Sequence, residues 1–149
     1  MMLFAFDSGL IKTTPFDPEM AALADRHYTR RKKSIGKRQF STCTRRIVLR
    51  DPAGLVLFVW SWPQEGKRFD QQKGYNCATF RNESSRLSSE IILEAERFAV
   101  ERWGPNRAYT FIDAKKIRSV NPGYCFKKAG WEKAGKSAGG KIILEKWLA

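Results

Sequence analysis

The segment Ser88 to Gly104, SSEIILEAERFAVERWG, constrains this chain more than any other. Ile91, Ile92, Ala95, Phe98, Ala99 and Trp103 recur at helical spacing, so a long helix with one apolar face is expected. Ser88 can cap it, Glu90 suits the positive first turn, and Gly104-Pro105 ends it. The runs on either side, YNCATFRN (75–82) and AYTFIDA (108–114), are short, β-rich and bounded by turn residues. A strand, a helix and a strand therefore stand in succession, and the helix needs a sheet to cover.

The rest of the chain supplies that sheet. Leu3, Phe4 and Phe6 read as a first strand. DPEMAALADRHY (17–28) suits a short helix, with Asp17 as cap, Pro18 in the first turn, and Met20, Leu23 and Ala24 on one face. RRIVLRD and GLVLFVWSWP flank Asp51-Pro-Ala-Gly54 and read as a hairpin. Residues 63–74 are polar and turn-rich. NPGYCFKKAGW (121–131) reads as a turn and a short helix ending at Gly130, and KIILEKW as the last strand. The sum is one domain over residues 1–149, of mixed α/β (α+β) class, built on one sheet with flanking helices.

Charge narrows the partners. Twenty-eight Lys and Arg against fifteen Asp and Glu give a formal net charge of +13. A surface of that sign attracts polyanions. The charge is also clustered: RHYTRRKKSIGKR, from Arg26 to Arg38, holds seven basic residues and no acid. Arg30, Arg31, Lys32, Lys33, Lys37 and Arg38 can neutralise phosphates without reading sequence, so the charge admits nucleic acid, an anionic membrane surface or a phosphate-rich ligand.

Other classes fall away. No run approaches the roughly 18 apolar residues of a membrane span, so no membrane partner is expected. The start MMLFAFDSGLIK lacks the basic region of a signal peptide. Cys43, Cys77 and Cys125 form no CxxC, and His27 is the single histidine, so no metal site is expected. Reduced thiols and a cytoplasmic location follow as expectations. The oligomeric state stays open, a homodimer being one option.

The order of elements resembles the GNAT acyltransferase fold, and FKKAGW resembles the Y-x-x-x-G-F that closes that family's last helix. The resemblance implies a mixed sheet whose two central parallel strands, YNCATFRN and AYTFIDA, splay around acetyl-CoA or another acyl-CoA-type donor. It also implies that the helix between them aims its N-terminus at the donor's pyrophosphate, where free N–H groups and the helix dipole favour an anion. Arg81, Ser84, Ser85, Arg86 and Ser88, with Asn121, stand at the matching positions. The family's Q/R-x-x-G-x-G/A loop appears as RNESSRLSS, which keeps an arginine and small residues but no glycine.

A narrower resemblance covers most of the chain. HYT (27–29), SWP (61–63), Ser89 at the helix start, Asp113 at a strand end and F-K-K-A-G-W are similar to the Mom family of phage DNA-modification proteins. That family alters the exocyclic amine of adenine in DNA, which implies double-stranded DNA as the partner, DNA-binding by Arg30, Arg31, Lys32, Lys33, Lys37 and Arg38, a role in restriction evasion and, if a phage encodes the chain, a location in the bacterial host cytoplasm. Phe126 stands where the family carries a tyrosine, and Tyr124 is two residues away.

Each candidate has two readings. His27 either contacts phosphate at the surface or accepts a proton near neutrality. Asp113 either caps the following turn or takes a proton from the amine. Ser89 is a helix cap or a functional hydroxyl. Tyr124 protonates a leaving group or makes a structural hydrogen bond. Cys125 is core or a nucleophile, and the nucleophile would need a base or positive neighbours. Tyr28, Trp62, Asn82 and Glu83 are the candidates for a base pocket, and an exposed aromatic beside basic residues can stack an extruded base. Phe126 and Trp131 should anchor the short helix, while Asn121, Gly123 and Tyr124 face the pocket. The expected function is a transferase modifying adenine in DNA. One alternative is an N-acetyltransferase using acetyl-CoA on a protein or small amine, whose cationic substrate the +13 charge would repel. Another is a non-catalytic nucleic-acid-binding protein.

Overall fold

The computed structural model describes residues 9–26, 35–36, 39, 41, 45–63, 72–116 and 121–149. Ten elements follow one another: β1 (Ile11–Thr13), α1 (Pro18–Asp25), β2 (Arg46–Arg50), β3 (Val56–Ser61), β4 (Tyr75–Asn82), α2 (Ser88–Trp103), β5 (Asn106–Ile112), α3 (Tyr124–Lys128), β6 (Glu132–Lys136) and β7 (Ile142–Leu148). The strands make one seven-stranded mixed sheet in the order β1-β2-β3-β4-β5-β7-β6. The fold is thus mixed α/β on a single sheet, as the sequence order implies.

Alternation along the strands explains how the sheet is covered. In β2, Ile47 and Leu49 belong to one buried cluster and Val48 to another; in β3, Val56, Phe58 and Trp60 alternate with Leu57 and Val59 in the same way. Successive side chains leave a strand on opposite faces. The larger cluster therefore lies on the face that α2 and α3 cover, through Ile91, Ile92, Ala95, Ala99 and Phe126. The smaller lies under α1, whose Met20, Leu23 and Ala24 meet Val48, Leu57 and Val59.

Local chemistry accounts for the ends of these elements. Asp17 caps α1 by accepting from the N–H groups of Glu19 and Met20, with Pro18 next in the chain. Asp51, almost fully buried, closes the hairpin turn: its Oδ1 accepts from Leu55 N at 2.8 Å and Val56 N at 2.9 Å. Two buried tryptophans tie α2 to the sheet side, Trp60 donating to Ala95 O at 2.8 Å and Trp131 to Glu96 Oε2 at 2.9 Å.

Four expectations need correction or limits. α1 stops at Asp25 rather than reaching residue 28. Ser88 does not cap α2: the cap position is Leu87, without a side-chain bond, and Ser88 and Ser89 are the first two helical residues. The strand EKAGK (β6) has only polar and small residues, so no apolar run announced it; it forms because β7 offers it an edge. Leu3, Phe4 and Phe6 lie outside the described residues, and the first strand described is Ile11–Thr13.

Candidate functional site

β4 and β5 are the only parallel pair among the described strands, and their ladder is very short. Tyr75 pairs with Ala108 and Asn76 with Tyr109, and there it ends. Yet β4 stays paired with β3 as far as Asn82, and β5 with β7 as far as Ile112. Two strands that share a sheet at one end are held by different neighbours at the other, so they part. At the first step past the ladder, the Thr110 hydroxyl donates to Cys77 O at 3.0 Å, taking the place of a backbone donor.

A bulge helps to open the gap. Val59 faces Thr79 while Trp60 faces Cys77, so Ala78 is an extra residue on β4. The bulge shifts the alternation by one, which is why Cys77 and Phe80 both contribute to the larger cluster. Bulges bend the strand that carries them and are frequent beside functional sites.

The open end is also where α2 begins. β4 ends at Asn82 and α2 starts at Ser88, so the helix N-terminus stands at the mouth of the gap. The five residues between are stitched together by Asn82. Its Oδ1 accepts from Ser84 N and Ser84 Oγ, and its Nδ2 donates to Arg86 O and Ser88 Oγ. Asn82 thus builds the turn that glycines would otherwise make easy, and its side chain is used up in doing so.

Glu83 is engaged as well. Its carboxylate accepts from Arg26 Nε at 2.8 Å and Nη2 at 3.0 Å, and from Arg81 Nε at 2.9 Å. These bonds, Arg26 first and Arg81 next, hold its carboxyl down to about 2. Arg26 stands at the C-cap of α1 and is the first residue of the basic run, so that first residue is fixed at the mouth of the gap. Arg81 also donates to Arg26 O, and Arg86 pairs with Glu94 at 2.9 Å. Both arginines expected at a donor's phosphates are therefore bonded to groups of the chain itself.

Asp113 lies just past β5 at the same end. Its Oδ1 accepts from Lys115 N at 3.1 Å, so it caps the turn. It also lines a cavity of about 120 Å3 with Asn76, Cys77, Ala78, Phe111 and Lys141. Asn76 Oδ1 itself is buried, with no hydrogen-bond partner. An orphaned acceptor of that kind costs about 1–3 kcal/mol. Neither Asn76 nor Lys141 was a candidate in the sequence. The available signal was a polar residue inside a strand that otherwise buries its early positions, Tyr75 and Cys77.

The four base-pocket candidates do not share one pocket. Trp62 follows Ser61, which pairs with Asn76 at the start of β4, whereas Asn82 pairs with Val56 at its far end. Six steps along β3, from Val56 to Trp62, about 20 Å, separate the two levels. Trp62 packs instead on Tyr75 and Trp103, at centroid distances of 5.1 and 5.5 Å, with the Arg45 guanidinium 4.1 Å above its ring. Asn82 and Glu83 are at the mouth, but their polar atoms serve the turn and the arginines. His27, Tyr28, Arg30, Arg31, Lys32, Lys33, Lys37 and Arg38 lie outside the described residues.

The segment Asn121 to Trp131 divides differently from expectation. Phe126 and Trp131 are buried anchors, 5.0 Å apart at their centroids, with Phe80 6.0 Å from Phe126. Gly123 does not face a pocket. Its φ is 78°, and a Cβ there would lie 2.7 Å from Leu144 Cδ1 and 3.3 Å from Ile112 Cγ1, so only glycine lets this turn sit on β5 and β7. Asn121 Oδ1 accepts from Lys127 Nζ at 2.8 Å. Tyr124 is 55% exposed and is not part of the cavity wall. Cys125 is half-buried and burial raises its thiol, as it does more strongly for Cys77, so neither is an activated nucleophile.

No group of three or more His, Cys, Asp or Glu able to hold a metal occurs among the described residues, and no described helix is long and apolar enough to cross a membrane. A larger groove of about 820 Å3 runs between α2 and the end of β7, beside Leu93, Phe98 and Trp147; it takes no residue from β4 or β5. Comparisons with protein-family models, curated proteins and solved structures return no match.

Proposed function

We propose that the protein is a phage-type, GNAT-like transferase that modifies the exocyclic amine of adenine in DNA. The observation that supports this most is the parting of β4 and β5 after two residue pairs, with the N-terminus of α2 at the opening. The GNAT resemblance implies this arrangement around an acyl-CoA-type donor. The chain suits such a donor in part. The first turn of α2 offers N–H groups and the positive end of a helix dipole. Arg81 and Arg86, by contrast, are held by Glu83 and Glu94.

The donor would supply an activated group; the chain would hold the amine and take its proton. Exocyclic adenine nitrogen is a poor nucleophile because its lone pair is delocalised into the ring. A carboxylate placed to accept the N–H proton helps it, and Asp113 lies at the end of a strand, where sites on α/β sheets gather. The basic run would grip phosphates at the mouth, to which Arg26 and Glu83 tether it.

The test is to express the protein in bacteria, digest total DNA to nucleosides and search by mass spectrometry for a new deoxyadenosine derivative. A derivative that appears with the wild type and disappears with Asp113→Asn supports the reading. Unmodified DNA together with a newly acetylated protein or amine would transfer it to the N-acetyltransferase alternative. Unmodified DNA with tight, salt-sensitive DNA binding would favour the non-catalytic one.

A further inference from the structure

Two turns on the β5 side of the gap carry a concentration of positive charge separate from the basic run. Lys115 and Lys116 follow Asp113 in the turn closed by Lys116 N donating to Asp113 O at 3.1 Å. Lys136 and Lys141 flank the turn between β6 and β7. Register puts both pairs at one level: Ile112 of β5 faces Ile142 of β7, which faces Lys136 of β6. All four lysines are exposed, and none pairs with an acid among the described residues. Asp113 is the one acid in these two turns; Glu132 and Glu145 face each other further along β6 and β7.

The β6–β7 turn adds backbone donors. Ser137 N donates to Lys141 O at 2.8 Å, Gly140 N to Ser137 O at 2.9 Å, and Lys141 N to Ser137 Oγ at 3.1 Å. The N–H groups of Ala138 and Gly139, at the tip, have no acceptor among the described residues. The tip Ala138-Gly139-Gly140 is exposed and carries no side chain larger than a methyl. A bare turn with backbone N–H groups to offer and a lysine on each side suits a phosphate, which accepts from both kinds of donor.

We propose that this lip is a second phosphate grip, and that a DNA duplex lies across the mouth with one strand held on the Arg26 side and the other by the β6–β7 turn and its lysines. The spacing suits a duplex. From Glu83, just past β4, to Lys136 on β6 the sheet order gives three strand spacings, about 14 Å, and the parting of β4 and β5 adds to it. The major groove of B-DNA is ~12 Å wide and displays the exocyclic amine of adenine. Cationic lips on both sides of the gap therefore turn the gap toward that groove. Glu83 does not oppose this, because its carboxylate is taken up by Arg26 and Arg81. The inference rests on the reading of DNA as the partner, and it names the face of the duplex that meets the cleft.

The test is a set of binding isotherms for the full chain and a short DNA duplex at several salt concentrations. Replacing Lys115, Lys116, Lys136 and Lys141 together by Ala should lower affinity by about tenfold or more and flatten the slope of log affinity against log salt by about 2 to 4, at about 0.9 per contact. The melting temperature should hold, since all four are exposed. Combined with replacement of Arg30, Arg31, Lys32 and Lys33, the losses in log affinity should add, as they do for separate contacts. Gly139 gives a second readout. A Cβ there meets nothing nearer than Ser137 Oγ at 4.0 Å, so a side chain fits. Gly139→Glu should weaken binding severalfold, and Gly139→Gln, of the same size without the charge, should not. Guanine N7 atoms, which lie in the major groove, should be protected from dimethyl sulfate in the complex. Unchanged affinity and slope in the lysine variant, equal effects of Glu and Gln at position 139, or unprotected N7 atoms would each overturn the proposal. So would tighter binding to phosphatidylserine vesicles than to the duplex at the same salt. A wild type that does not bind duplex DNA would sink both this grip and the transferase reading. Binding that depends on these lysines, alongside unmodified cellular DNA, would sustain the grip and sink the transferase reading alone.

Discussion

Arg26 grips both carboxylate oxygens of Glu83 with the two prongs of its guanidinium, at 2.8 and 3.0 Å, across 57 positions of chain. Arg81 shares the same carboxylate and donates to the backbone carbonyl of Arg26 at 2.9 Å. The acid, which the sequence offered as a pocket wall, is therefore a clasp. It fixes the start of the basic run to the end of β4, at the place where the central strands separate. A surface ion pair of this kind adds little stability on its own; its effect is on where the run begins.

The clasp has a measurable pH signature. The Glu83 carboxyl is held down to about 2 from an ordinary 4.5, by Arg26 first and Arg81 next. A depressed folded value means that the interaction is fully present above about 4.5 and is lost as pH falls toward 2. In a carbon-detected NMR titration Glu83 should titrate well below the ordinary 4.5. Arg26→Ala should move its midpoint upward, short of the ordinary value because Arg81 remains. A Glu83 midpoint near 4.5 in the wild type would show that the clasp does not form in solution.

Affinity for duplex DNA should fall steeply with salt, because cations on the run displace counterions from the duplex. Replacing Arg30, Arg31, Lys32 and Lys33 by Ala should weaken binding. If each contacts a phosphate, the slope of log affinity against log salt should flatten by about 3 to 4, at about 0.9 per contact. The measurement is a binding isotherm at several salt concentrations. Unchanged affinity and slope would mean that the phosphate grip lies elsewhere on the +13 surface.

Much of the fold was legible because it is written in periodicity. Helix α2 occupies the segment where Ile91, Ile92, Ala95 and Ala99 recur, and the hairpin forms around Asp51 as its D-P-x-G turn requires. What was not legible depends on partners far away in sequence. No local pattern says that β6 will borrow an edge from β7, or that Leu87 rather than a serine will stand at the cap of α2. The site was harder still. Trp62 and Asn82 looked alike as strand-end residues, but antiparallel pairing puts the end of β3 and the end of β4 at opposite ends of the strands. Asn76 gave no sign that its carbonyl would be left without a partner, since that depends on where β5 turns away.

Asp113→Asn separates the two readings of that residue. As a turn cap, Asp113 needs only an acceptor oxygen for Lys115 N, and asparagine keeps one. Fold and melting temperature should therefore hold, and DNA binding with them. As the proton acceptor, it cannot be replaced by an amide, and loss of a general base lowers the rate by about 10²–10⁴-fold. The check is single-turnover modification of a DNA duplex alongside thermal melting. Full activity would move the base role to His27, since Glu83, ion-paired and held near 2, is a weak base.

Tyr124 and Phe126 can be separated in the same way, with the opposite distribution of effects. Phe126 is buried against Phe80 and Trp131, so Phe126→Ala opens a cavity at the joint between α3 and the sheet. Removing a buried aromatic costs roughly 3–5 kcal/mol. For a chain of this length the melting temperature should then fall on the order of 10 °C. Activity should fall with the folded fraction and recover when measured well below the new midpoint. Tyr124 is more than half exposed, lies outside the cavity wall, and has the Lys128 ammonium 6.0 Å from its ring. Tyr124→Phe keeps that ring and removes only the hydroxyl. Its melting temperature and its single-turnover rate should both stay close to wild type. A large loss of rate at unchanged stability would show that the hydroxyl reaches the reacting groups when DNA is bound, restoring to Tyr124 the role that Phe126, lacking a hydroxyl, cannot fill.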